Sequence, residues 1–161
     1  ICATMSNVQL HFVGDFNYYP KYYQILKNVI KLKKLESKVF FHGHRDDYLV
    51  FMNNADILIQ TSRSEGVSRV LREAMYMKLP IISFAISGTS GTLKNDYEAI
   101  LIKEKDIDVM GEKLKSLILD KEKHEFISFN AHKKYLLNHS NIAYSQNLSN
   151  LINEMIQKRL A

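Results

Sequence analysis

Two glutamates stand eight positions apart in the segment "SRSEGVSRVLREAMYMKLPIISF", Glu65 beside a glycine and Glu73 inside a helical pattern. Eight residues of helix rise roughly 12 Å, too far for both carboxylates to share one bond as acid and base but suited to the two ends of an extended ligand. Between them, the turn from Gly66 to Arg69 opens a helix, where free backbone N–H groups and the positive dipole end attract a phosphate or diphosphate. Arg69 adds a cation. A plainer reading is equally open on spacing alone. Ser62 and Glu65 have the separation of a capping box, and Arg69 and Glu73 at i,i+4 form an ordinary surface ion pair.

The elements around this segment decide where such chemistry sits. A β-rich run at 8–14 and short apolar runs at 38–43, 56–61, 80–85 and 99–102 read as strands. Helical spacing follows from Pro20 to Leu35, over "RDDYLVFMNNA" with Asp46 as N-cap, after Gly66, and from Asp106 almost to the end. Strands of this type alternating with helices indicate an α/β domain, a Rossmann-like parallel sheet flanked by helices. The helix after Gly66 carries a core stripe at Val67, Val70, Leu71, Ala74 and Met75, while Arg69, Glu73 and Tyr76 share another face.

Ligands of such sheets bind beyond the carboxyl ends of the strands. The candidate loops are Gly14-Asp15-Phe16, Gly43-His44-Arg45, Thr61 to Ser68, and Ser87 to Thr92. Glycine in these loops lets a backbone approach a ligand closely.

Composition excludes several classes. The 161 residues are 46% hydrophobic and 24% charged, enough for a real core. No apolar run approaches the roughly 20 residues of a membrane span, and no secretory pattern opens the chain. One cysteine, Cys2, allows no internal disulfide and points to a reducing cytoplasm. His42 and His44 face one way on a strand but have no third ligand nearby, so no metal site is expected. The net charge of +5 is spread over helix faces, too diffuse for nucleic-acid binding yet suited to anionic substrates or an anionic membrane surface.

With these elements in place, "SEGVSRVLREAMYMKLPIISF" resembles the signature of the retaining, nucleotide-sugar-dependent glycosyltransferases of family 4, of the group 1 type. Ser62, Glu65, Gly66, Glu73, Ala74, Met75 and Pro80 match its pattern. "VQLHFVGD", "KVFFHGH" and "NNADILIQTS" are similar to the segments that precede it, so the resemblance runs over about 8 to 120.

The resemblance implies the C-terminal half of a two-domain GT-B fold, with residues 1–161 a single nucleotide-sugar-binding domain and 106–161 its terminal helices. It implies that Glu65, the catalytic-site carboxylate, contacts donor-sugar hydroxyls. Gly66, Val67 and Ser68 would present amides to the sugar and diphosphate, and Glu73 would take the ribose. Gly43 and His44 would receive the base, with Gly14, Asp15, Arg45, Ser62 and Arg69 completing the donor site. It implies no metal or cofactor, the donor being a nucleotide-diphosphate sugar with UDP favoured. The acceptor, a glycan or lipid-linked molecule, would be held by an N-terminal domain outside this chain, and the fragment alone would be inactive. The setting implied is bacterial polysaccharide biosynthesis in the cytoplasm, with peripheral contact at the inner face of the cell membrane.

The family's diphosphate-clasping Arg and Lys are expected before Ile1, "FNYYP" replaces its second glycine, and Gly91 or Thr92 stands where it carries an acidic residue. Two alternatives remain: a non-catalytic nucleotide-sugar-binding module, and an epimerase of the same architecture.

Overall fold

The computed structural model describes residues 1–66, 68–103 and 106–160, the side chain of Leu160 excepted. Strands and helices alternate as β1 (Leu10–Phe12), α1 (Pro20–Leu32), β2 (Val39–Phe41), α2 (Tyr48–Asn53), β3 (Leu58–Gln60), α3 (Arg69–Tyr76), β4 (Ile81–Phe84), α4 (Ser87–Ser90) and β5 (Ile100–Ile102). Three helices follow: α5 (Ile107–Leu119), α6 (Lys121–Asn138) and α7 (Asn141–Leu160). All ladders are parallel, β1 with β2 and, separately, β3-β4-β5. The chain forms two compact units, Ile1–Phe51 and Met52–Ala161.

In the first unit an aromatic cluster does the packing. Phe12 stacks on Phe41 at 5.0 Å between centroids, and Tyr23 of α1 meets Phe41 edge-on at 5.0 Å. Proline opens α1, where its missing N–H costs nothing. The helix ends three residues before the expected Leu35, because Lys34 turns left-handed (φ 53°) and sends the Leu35 amide back to Ile30 O at 2.9 Å. Lys34 N also returns to Lys31 O, completing a Schellman cap. α2 begins at Tyr48, so Asp46 is not its N-cap.

The second unit holds the larger core. β4 is buried along its whole length, and its successive isoleucines face opposite sides. Ile81 joins Leu71, Ala74, Met75, Leu79 and Ala131 on one side, while Ile82 joins Phe84, Ile100, Met110, Leu117 and Ile127 on the other. Both faces are thus covered, as the largely apolar run demands. α3 ends in a second Schellman cap on Lys78 (φ 56°), with Lys78 N to Met75 O and Leu79 N to Ala74 O. Asp106 and Asp120 cap α5 and α6, accepting from Val109 N at 3.0 Å and Lys123 N at 2.9 Å.

Two core expectations differ. Val70 is 38% exposed, because it lies outside the cluster that encloses Leu71, Ala74 and Met75. Val67 lies outside the described residues. No helix among the described residues is long and apolar enough to cross a membrane.

Candidate functional site

In the second unit, β3 delivers the chain to the 61–68 loop and α3 starts directly after it. Ser62 Oγ donates to Glu65 Oε1 at 2.8 Å, so the expected pair forms. It is not a helix cap, however. The helix begins at Arg69 with Ser68 as N-cap, and the Ser62–Glu65 bond instead orients a carboxylate within the loop. Ser68 is buried, yet its hydroxyl makes no cap bond. It accepts from Gln60 Nε2 at 3.3 Å. Ser68 thus leaves the amino end of α3 without a side-chain cap, where backbone N–H groups carry a partial positive charge directly after the loop that holds Glu65.

One turn further, Arg69 and Glu73 pair at 3.4 Å, with Arg69 75% exposed and Glu73 only 21%. An ion pair with one arm in water contributes little to stability, a few tenths of a kcal/mol. The predicted shared face holds: Arg69, Glu73 and Tyr76 line one cavity of about 250 Å³, together with Arg72, Tyr135 and His139. Burial, then the charges of Arg72 and Lys134, pushes the His139 pKa below its ordinary value. A second cleft of about 230 Å³ runs beside β5 and α5 and contains none of the expected site residues.

In the first unit, the β1–β2 ladder continues past both strands. His42 N donates to Phe12 O at 2.9 Å and Gly14 N to Gly43 O at 2.9 Å, which holds the two glycine loops side by side. Gly43 is left-handed (φ 70°), a conformation that excludes most side chains, and open space surrounds it. Asp15 accepts from Asn17 N at 2.8 Å in a local turn. Arg45 forks onto Asp47, Nε and Nη2 each 2.7 Å from a carboxylate oxygen, and these bonds hold the Asp47 carboxyl below the usual carboxylate range. The guanidinium is thus already engaged.

His42 and His44 do not act together. β2 stops at Phe41, so neither lies on the strand. His42 Nε2 is 2.9 Å from His11 Nδ1, and burial, then His11 and Arg45, lower its pKa. His44 sits 3.4 Å from Asp46. Among the described residues no three His, Cys, Asp or Glu side chains group as metal ligands.

One residue and one contact escaped the sequence reading. Gln60, the one polar residue closing β3, holds Ser68 and keeps its own Oε1 buried without a hydrogen-bond partner among the described residues. Its polarity at the carboxyl end of an apolar strand was the available signal. Gly88, at the start of α4, packs directly on the backbone of Glu65 and Gly66. Nothing in local sequence reveals that contact.

The family model for glycosyl transferases group 1 matches residues 1–153. The chain belongs to that family. It is 28% identical over 91 residues to the capsular polysaccharide biosynthesis glycosyltransferase CapM of Staphylococcus aureus, covering 56% of this chain and 24% of that protein. It is 26% identical over 142 residues to the poly(glycerol-phosphate) alpha-glucosyltransferase of Bacillus subtilis, covering 86% of this chain and 20% of that one. The chain thus spans about a quarter or less of these two relatives. Among solved structures, Anabaena Alr3699/HepE in complex with UDP superimposes with a TM-score of 0.86 at 22% identity, over 95% of this chain and 43% of that one. That likeness establishes the fold, the α/β Rossmann-like architecture of GT-B glycosyltransferases.

Proposed function

We propose that this chain is the donor-binding half of a glycosyltransferase that moves a sugar from a nucleoside-diphosphate donor to a glycan or lipid-linked acceptor. The observation that carries the proposal is the uncapped amino end of α3 between two oriented carboxylates, Glu65 in the loop and Glu73 on the helix. A diphosphate at the helix terminus accepts from free amides and is favoured by the dipole, so charge developing on the leaving group meets preorganised donors. Glu65 then reaches sugar hydroxyls on one side and Glu73 reaches ribose hydroxyls on the other.

A uridine donor is supported by the Anabaena structures, solved with UDP and with UDP-glucose. Retention is supported by the alpha linkage in the Bacillus relative's name, for a donor whose sugar is itself α-linked. The polysaccharide and poly(glycerol-phosphate) products named for the relatives support a polymeric or lipid-linked acceptor, bound by residues outside this chain. Reaction in the cytoplasm, at the inner face of the cell membrane, fits a soluble sugar nucleotide meeting such an acceptor.

Titration of the full-length protein with UDP, GDP and UDP-glucose by calorimetry tests this reading. Hydrogen bonds to a charged group contribute about 1.5–3 kcal/mol, so Glu73→Ala is expected to weaken nucleotide binding roughly ten- to a hundredfold. Unchanged affinity removes the ribose role, and absence of binding to any nucleotide removes the donor site.

A further inference from the structure

Two glycines near the proposed donor loop are glycine for different reasons. Gly66 has no left-handed φ, and a Cβ built on it meets nothing within 4 Å. Neither its backbone nor its own chain requires glycine there. Gly88 also lacks a left-handed φ, but a Cβ on it would fall on the carbonyl oxygens of Glu65 and Gly66 and 2.9 Å from the Glu65 carbonyl carbon. The obstructing atoms are backbone, so no rotamer change relieves them.

We propose that Gly88 is a positioning residue: its bare Cα is the seat on which the Glu65-Gly66 backbone rests, and it sets where Glu65 and the following amides stand relative to the donor. The proposal rests on the donor-site reading above. The seat itself is rigid. Thr89 is fully buried and its hydroxyl lies 2.6 Å from Phe84 O and 3.0 Å from Ile86 O, while Ile86 N donates back to it at 3.0 Å. Thr92 Oγ1 donates to Gly88 O at 2.8 Å, and Leu93 is buried in the core beneath. The start of α4 is therefore tied to the end of β4 and cannot retreat. The 61–68 loop is the partly exposed partner, with Glu65 held by Ser62. Added bulk at Gly88 must displace the loop.

A methyl group needs about 3.5–4.0 Å to its neighbours, so the loop shifts by roughly 1 Å or more. A displacement of that size at reacting atoms costs up to about a hundredfold in rate.

The test compares Gly66→Ala and Gly88→Ala in the full-length enzyme, with donor and acceptor KM, kcat, thermal unfolding and backbone hydrogen exchange as readouts. Gly66→Ala fills open space, so it is expected to leave unfolding unchanged and to weaken UDP-glucose binding at least tenfold. Gly88→Ala is expected to lower kcat/KM for the donor ten- to a hundredfold, with acceptor KM unchanged and faster exchange across 62–66. A merely structural role would instead reduce the active fraction, lowering kcat with both KM values unchanged.

Wild-type donor affinity in Gly66→Ala overturns the donor-site reading and the role of Gly88 with it. Impaired Gly66→Ala beside a Gly88→Ala within twofold of wild type overturns the Gly88 proposal alone. Should Gly88→Ala fail to fold, exchange in the wild-type enzyme decides. UDP-glucose is expected to slow exchange in both 62–66 and 87–91, and slowing confined to the loop overturns the proposal.

Discussion

Lys134→Met should destabilise the second unit through a group the replacement never touches. Glu98, only 7% exposed, lies just before β5, and its Oε2 accepts from Lys134 Nζ of α6 at 2.7 Å and from the Lys94 amide at 2.7 Å. Breaking a buried pair by removing one partner costs about 3–5 kcal/mol, because the other charge stays buried. Two features reduce that here: the Lys134 side chain is 27% exposed, and Glu98 keeps the Lys94 amide. The expected loss is about 2 kcal/mol, a fall in Tm of about 4–8 °C for a chain of this size. Urea unfolding of wild type, Lys134→Met, Glu98→Gln and the double variant should give a coupling of about 1–2 kcal/mol. Most of it should survive 1 M salt, since a pair this buried is poorly screened. A coupling below about 0.3 kcal/mol, or one abolished by salt, would refute the reasoning.

Other perturbations follow from single features. Leu71→Ala empties a fully buried position facing β4 and should cost about 3 kcal/mol in urea unfolding, with cooperativity retained. Lys78→Gly keeps the Schellman cap of α3 while removing a left-handed side chain, and should stabilise by about 1 kcal/mol in the same assay. His139 has a folded-state pKa below its ordinary 6.5, so the unfolded chain takes the proton first. Its contribution is intact above 6.5 and declines as pH falls through that value toward the folded-state pKa. His139→Gln should flatten that decline in stability measured against pH.

Legibility in the sequence followed the range of the physical cause. β4 was readable because "PIISFA" is apolar at every position but Ser83, as a strand covered on both faces requires. The face shared by Arg69, Glu73 and Tyr76 was readable because helical geometry alone sets it. Ser62 and Glu65 were readable as partners but not in their role, since the same separation serves a cap or a loop clasp. The early end of α1 was hidden by Lys34, which occupies a left-handed position where glycine is the usual signal. The loop holding Gly88 was legible as a candidate, but the contact Gly88 makes was not. Its neighbours are Glu65 and Gly66, and no periodicity links residues so far apart.

The pairing of α3 with α6 has a bearing on motion. His132 Nδ1 lies 3.2 Å from Met75 O, the Tyr76 and Tyr135 rings meet at 5.3 Å, and Ala131 is fully enclosed in the cluster that holds Leu71. The short helix is thus braced along the longer one and fluctuates with it as a single strut. Glu73 is mounted on that strut, whereas Glu65 is suspended from a loop by its neighbours. The two carboxylates are therefore anchored differently, Glu73 by the packing of two helices and Glu65 by one hydroxyl and the backbone seat at Gly88.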